Sequence, residues 1–419
     1  MQFFKWLYPG IGIKRWITLC LLGLGLIVFV ALAAVRTISE TSVLLASFAT
    51  AVLIFGIFLV YTAIKNMLRI FVRALMPPHA DENLVDIVYQ KRQSDSLMRG
   101  PRVVVVGGGT GLSTLLAGVK LFTSNITAIV TVTDTGGSSG RLRDELDMLP
   151  PGDIRNCLVA LADAEPLIRD LFQYRFEVGE GLKGHSFGNL FITALSKVTG
   201  DFEKAVAESS KVLAIRGRVI PSTLEKVTLV GEFVDGTTLE GETTITDAQK
   251  PLKNIRLKPH DCKAHPEALD AIANADLVIL GPGSLYTSVL PNLLIKDLHD
   301  AILKTDAYKV HIVNVMTQPG ETDGFSAWDH LRVLIEHTDP RVVDAVFVNV
   351  QEIPADLVDK YRVKGAEVVR LDLDTIHEKG YAIIEGKILK TDGQVRHDSE
   401  KLARLVFDHY MSVTKTAKV

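Results

Sequence analysis

Residues 102–121 read R-V-V-V-V-G-G-G-T-G-L-S-T-L-L-A-G-V-K-L, and residues 126–143 read I-T-A-I-V-T-V-T-D-T-G-G-S-S-G-R-L-R. Val103 to Val106 is an unbroken β-branched run, the composition of a strand buried on both faces of a parallel sheet. Gly107, Gly108, Gly109 and Gly111 follow with only Thr110 among them, and Leu112 to Leu121 continues with helical spacing. Such a loop lets a ligand approach the backbone, and the helix behind it aims its first N–H groups at an anion. The match to the dinucleotide fingerprint is partial, because Leu112 stands where the third glycine belongs, and no Gly-Lys-Ser/Thr follows to make a P-loop. Taken alone, the loop is also what tight strand–helix packing selects.

The second strand, Ile126 to Thr133, ends in Asp134, where nucleotide-binding α/β folds place the carboxylate that accepts ribose hydroxyls. Gly136, Gly137, Ser138, Ser139 and Gly140 then form a loop without bulk, followed by Arg141 and Arg143. Backbone donors, hydroxyls and guanidiniums together suit a diphosphate. Asp153, in P-P-G-D-I-R-N, can cap the helical stretch 154–175 or, with Asn156, face the same ligand. His185, Ser186, Gly188 and Asn189 lead into a further apolar helix. With no G-x-S-x-G elbow a nucleophilic serine is not expected, and His185 reads as a hydrogen-bonding or phosphate-contacting residue.

Downstream, Lys226 to Ile245 alternates in period two around Asp235-Gly236 and reads as a β-hairpin. Ala275 to Leu280 is another buried strand, opening into Gly281-Pro282-Gly283-Ser284-Leu285-Tyr286-Thr287-Ser288. There Tyr286 reads either as a ring stacked on a ligand or as a core tyrosine under the loop. Val310 to Val315, carrying Asn314, and Val342 to Val348, tipped by Asn349, are further strands, and Val368-Val369 is a last short one. In an open α/β sheet the carboxyl ends of the strands share one edge, so these loops converge on one site. His260, Asp261, Cys262 and His265 lie in a polar turn without zincin spacing, and no metal site is expected. Cys20, Cys157 and Cys262 are far apart, which disfavours a disulfide framework.

Trp16 to Val35 and Val43 to Ile64 are uncharged runs long enough to cross a bilayer as helices. Lys5, Lys14 and Arg15 precede the first, and Lys65, Arg69 and Arg73 follow the second; the positive-inside rule puts both ends in the cytoplasm. Trp6, Tyr8, Trp16 and Tyr61 suit an interfacial belt. A second run directly after the first disfavours a cleaved signal peptide. Residues 65–76 read as a basic juxtamembrane helix or as an extension of the second run past the membrane, and 77–100 as a polar linker. The net charge of −3 over 419 residues gives no basic footprint for nucleic acid. The expected architecture is an α/β, Rossmann-like, mostly parallel sheet with helices on both faces and a β-hairpin insertion. A two-helix transmembrane hairpin precedes it. Its parts are 1–76, the linker 77–100, a ligand-binding domain 101–390, and a C-terminal helix and tail 391–419.

The ordered motifs G-G-G-T-G-L, D-T-G-G-S-S-G-R-L-R, P-P-G-D-I-R-N, G-H-S-F-G-N, G-P-G-S-L-Y-T-S and N-V-M-T-Q-P-G-E-T resemble those of the YvcK-type gluconeogenesis factors, in the CofD-like superfamily of 2-phospho-L-lactate transferases. The membrane hairpin departs from the soluble form usual in that family. The resemblance implies a regulator that binds a UDP-sugar, notably UDP-N-acetylglucosamine, and serves gluconeogenic growth, cell shape and peptidoglycan precursor supply through a protein partner. No cofactor is required in that reading, and a homodimer is compatible with it. It places Gly107, Gly108, Gly109, Thr110, Gly111 and Asp134 at the nucleotide, and Gly136, Gly137, Ser138, Ser139 and Arg141 at the phosphates. Tyr286 falls at the position associated with holding the UDP-sugar, within a loop that also carries Gly283, Ser284 and Thr287, opposite Asn314. Asp153, Asn156 and Asn189 are candidates for the sugar or a Mg²⁺-bridged phosphate. The alternative is a transferase moving a phospho- or nucleotide-linked group with Mg²⁺, for which Asp134, Asp153, Arg141 and Arg143 would supply the charges. A nicotinamide-dependent oxidoreductase loses on the imperfect fingerprint.

Overall fold

The computed structural model describes residues 13–36, 43–75 and 96–416, in two compact units, Met1–Gln93 and Ser94–Val419. The described part of the first unit is a pair of helices, α1 (Ile13–Arg36) and α2 (Val43–Leu75). Their apolar stretches, Arg15–Ala33 and Ala46–Arg69, have mean hydropathies of 2.6 and 2.2, which by length and composition suffices to cross a membrane. The helices pack on each other through glycine: a Cβ on Gly23 would lie 2.8 Å from the Gly56 carbonyl oxygen, and one on Gly56 3.0 Å from that of Gly23. Small residues at a crossing let two backbones approach this closely. The basic stretch after Ile64 is no separate helix; α2 runs through it to Leu75. The polar linker lies almost wholly outside the described residues.

The second unit is built on seven parallel strands: β1 (Val103–Gly107), β2 (Ile126–Val130), β3 (Arg218–Pro221), β7 (Leu277–Leu280), β8 (Tyr308–Ile312), β9 (Ala345–Asn349) and β10 (Ala382–Gly386), in the order β10-β9-β8-β7-β1-β2-β3. The direction of winding reverses at β1, whose Val103 pairs with Ile126 on one side and Leu277 on the other. The crevice at the carboxyl ends of β1 and β7 is therefore the topological switch point. Val103 to Val106 and Leu277 to Leu280 are fully buried because helices cover both faces. One cover is the helix Gly109–Val119, with Leu112, Leu115, Leu116 and Val119 turned to the sheet.

Four expectations need correction. The strand Ile126–Thr133 leaves the ladder at Val130, and Thr131 and Thr133 turn toward each other, their hydroxyls 3.0 Å apart. Val368 forms only an isolated bridge to Met316; the edge strand is β10, whose half-exposed A-I-I-E-G carries a weaker apolar signal than a buried strand. The hairpin is real as β4 (Thr228–Phe233) and β5 (Thr238–Glu240), but its second arm stops at Glu240. Gly241, at φ 94°, turns E-T-T-I-T-D into a short helix that seals Ile245 in the core, and β6 (Leu252–Lys258) completes a three-stranded antiparallel sheet. Finally, Gly137 to Gly140, read as a loop, form the first turn of the helix Gly137–Leu146. The C-terminal helix Ser399–Thr416 buries Leu402, Ala403, Val406 and Phe407 against Gly109–Val119. A Cβ on Gly118 would stand 1.8 Å from the Ser399 carbonyl oxygen.

Candidate functional site

Two glycine loops meet at the switch point. A Cβ on Gly111 would lie 2.3 Å from the Pro282 carbonyl oxygen, and one on Gly108 2.6 Å from Thr131 Cγ2 and 2.7 Å from Asp153 Oδ2. No other residue fits at either place without parting the loops. The β7 loop is clamped from β8: Asn314 Oδ1 accepts from the Gly283 N–H at 2.9 Å, and Asn314 Nδ2 donates to the Gly283 carbonyl at 2.6 Å. Ser284 caps the following turn by accepting from the Thr287 N–H at 3.2 Å and the Thr287 hydroxyl at 2.6 Å, and itself donates to Glu321.

Carboxylates line the crevice. Asp134 Oδ1 accepts from the Gly136 N–H, and Asp153 Oδ2 from the Gly109 N–H, both at 2.8 Å. The first glycine loop thus gives one of its helix-start donors to Asp153, and that donor is not free for a phosphate. Gly152 brings these residues together, since its Cβ would approach Ser139 Oγ to 2.2 Å and Asp134 Oδ2 to 3.0 Å. Glu242, first residue of the inserted helix, faces the same charges, and the Thr243 N–H ties that helix to Thr135 Oγ1 at 3.1 Å. Burial raises the Asp153 carboxyl to about 6, with the Asp134 charge adding to it. Burial followed by Asp134, Asp153 and Glu321 raises Glu242 to about 8. Burial also raises Glu321, against hydroxyl bonds from Ser284, Thr287 and Thr246. The crevice therefore carries more negative potential than its own side chains relieve.

Several predicted residues have structural partners. Tyr286 is 2% exposed, and its ring packs edge-on against Phe325 and His337 at 6.5 and 5.9 Å; burial pushes its hydroxyl up to about 12. The ring is the core tyrosine under the loop and does not stack in the crevice. Arg141 is exposed and donates to the Lys183 carbonyl at 2.8 Å, while Arg143 donates to the Val227 carbonyl at 2.8 Å and Thr228 Oγ1 at 3.0 Å. Asn156 Oδ1 accepts from Arg155 at 2.8 Å. Asn189 Nδ2 donates to Ser138 Oγ at 3.0 Å, and Ser138 stands 2.9 Å from His185 Nδ1. Gly107 lies in the first glycine loop, Thr110 and Gly137 lie in the first turns of the helices Gly109–Val119 and Gly137–Leu146, and Thr287 lies in the turn Leu285–Val289 after β7. His265 Nδ1 caps its helix by accepting from the Glu267 N–H, and burial holds Cys262 up at about 11. Among the described residues no three His, Cys, Asp or Glu side chains are spaced to hold a metal ion. Sequence reading missed Glu242, Glu321 and Asn292, whose amide donates to the Ser288 carbonyl at 2.8 Å and the Gly107 carbonyl at 3.3 Å. Glu321 lay in the quoted N-V-M-T-Q-P-G-E-T; Glu242 carried no local signal.

The family model for 2-phospho-L-lactate transferase CofD matches residues 103–389. Gluconeogenesis factors of Halalkalibacterium halodurans and Bacillus subtilis are each 48% identical to this chain, over 74% of it and 97% and 98% of their own lengths. A Clostridium acetobutylicum relative is 43% identical over 98% of this chain and 92% of its own, so that similarity includes the N-terminal helices. A crystal structure of a Bacillus halodurans protein superposes with a TM-score of 0.72 at 47% identity, covering 74% of this chain and 99% of that one. The chain belongs to the CofD-like family of gluconeogenesis factors.

Proposed function

We propose that the switch-point crevice binds a nucleoside-diphosphate sugar, UDP-N-acetylglucosamine, and that the protein is a regulator whose occupancy is read by a protein partner in cell-wall precursor supply. The observation that carries this reading is the wedge at Gly111. It joins the β1 and β7 loops into one crevice flanked by Asp134, Asp153 and Glu242. Carboxylates accept hydrogen bonds from ribose and sugar hydroxyls. The start of the helix Gly137–Leu146, with Ser139 and Arg141, offers the diphosphate backbone, hydroxyl and guanidinium donors. The role lies in growth on gluconeogenic carbon sources and in cell shape. α1 and α2 anchor the chain in the membrane with both ends in the cytoplasm, in keeping with the lysines and arginines flanking both apolar runs.

A second reading, a transferase moving a phospho- or nucleotide-linked group, is favoured by the family model that matches 103–389. Among the described residues no three His, Cys, Asp or Glu side chains are spaced to hold a Mg²⁺ ion. Incubating the full chain in detergent with UDP-N-acetylglucosamine and Mg²⁺, while following thermal shift and product, separates the two. Saturable stabilisation without turnover supports the regulator. Turnover abolished by Asp134→Asn supports the transferase. Stabilisation by NAD or a guanine nucleotide and not by UDP-sugars refutes the ligand assignment.

A further inference from the structure

We infer that Asn189 and Ser138 are positioning residues that hold His185 in its Nε2–H tautomer, so that the ring presents a neutral N–H donor to an anionic phosphate oxygen of the bound ligand and not a base. This rests on the nucleoside-diphosphate reading above. Three elements bring the group together. Ser138 is the second residue of the helix Gly137–Leu146, Asn189 the third of Phe187–Thr199, and His185 lies just before that second helix.

With the Asn189 amide nitrogen turned to Ser138, as in the structure, the tautomer follows from counting protons. Asn189 Nδ2 can only donate, and it donates to Ser138 Oγ at 3.0 Å. Ser138 is buried, and the other polar atom within reach of its hydroxyl is His185 Nδ1 at 2.9 Å. A proton on Nδ1 would leave the serine O–H buried without an acceptor, at the cost of an unmade hydrogen bond. With the serine donating, Nδ1 is the acceptor and the ring proton sits on Nε2. Burial first, and then the Arg141 charge, hold the ring below its ordinary pKa, which keeps it neutral. His185 is only 3% exposed, yet Nε2 is not among the sealed ring nitrogens, unlike those of His311, His330 and His337. Among the described residues the ring's hydrogen bond is made at Nδ1, which leaves Nε2 as the ring atom for a ligand. The Asn189 amide oxygen is buried without a partner, so Ser138 is the one side chain the amide engages.

The test is a ¹H–¹⁵N correlation of the histidine rings in the full chain, labelled with ¹⁵N-histidine, in detergent micelles at neutral pH. The His185 signals, assigned with His185→Gln, are expected to show the Nε2–H pattern. Ser138→Ala is expected to mix the two tautomers while leaving the other histidine signals in place. Saturating UDP-N-acetylglucosamine should shift the Nε2 resonance. His185→Leu should weaken binding about tenfold, the equivalent of one hydrogen bond to a charged group, and His185→Gln, which keeps an N–H donor, should restore most of it. An Nδ1–H ring in the wild type, or an Nε2 signal unmoved by saturating ligand, overturns the inference. If the wild type does not bind UDP-N-acetylglucosamine, the ligand reading fails by itself; inorganic pyrophosphate then replaces it as the probe, with the same two outcomes deciding the role of His185.

Discussion

Replacing Glu242 with glutamine should stabilise the protein at pH 8 and hardly change it at pH 4.5. The folded-state carboxyl is raised from 4.5 to about 8, so between those values it holds a proton that the unfolded chain has released. Wild-type stability is then fully present below pH 4.5 and is lost as pH rises through about 8. At about 1.4 kcal/mol per pH unit the window sets a ceiling of roughly 5 kcal/mol. Glu242 keeps a solvent-facing edge, and screening there brings the expected loss to about 2 kcal/mol. Glutamine has the same shape, keeps a polar contact with Thr287 and does not titrate. In thermal melts of the full chain, the gain in Tm of Glu242→Gln over wild type should grow by about 5 °C from pH 5 to pH 8. A difference in Tm independent of pH, or a variant less stable at pH 8, would refute the account of a crevice overloaded with negative charge.

Other consequences follow from the same contacts. Gly111→Ala drives a methyl group into the Pro282 carbonyl and should cost about 1–3 kcal/mol in chemical denaturation, with ligand affinity falling in parallel; Ser113→Ala, on the same helix, is the neutral comparison. Tyr286→Phe should leave ligand affinity unchanged in calorimetry, because the ring faces Phe325 and His337, whereas Tyr286→Ala should cost about 3–5 kcal/mol of stability. Gly56→Leu should separate α1 from α2 without altering ligand binding by the second unit. Lowered efficiency of a cysteine crosslink engineered between the helices would report the separation.

The sheet was legible where a strand is buried on both faces, because burial there demands an unbroken apolar run: Val103–Val106 and Ala275–Leu280 announced β1 and β7 and the loops after them. The site's loops were legible for a related reason, since backbones in near contact exclude every side chain but glycine's. Residues placed by tertiary packing were not legible. Glu242 reaches the crevice only because Gly241 ends β5 and the insertion folds back onto Thr135, and no local pattern encodes that return. Tyr286 shows the converse: its loop is at the crevice, but a turn capped by Ser284 points the ring into the core. The half-exposed β10 lacks the apolar run that marks its neighbours, and the covering role of Ser399–Thr416 depends on Gly118, almost three hundred positions earlier in the chain.

The central claim is that the β1 and β7 loops form one ligand site. Hydrogen–deuterium exchange of the full chain with and without UDP-N-acetylglucosamine tests it most directly. The account predicts joint protection of residues 107–111, 134–139 and 281–288, with the sheet edge at β3 unchanged. Protection of only one of these loops, or protection confined to a surface away from the switch point, would contradict it.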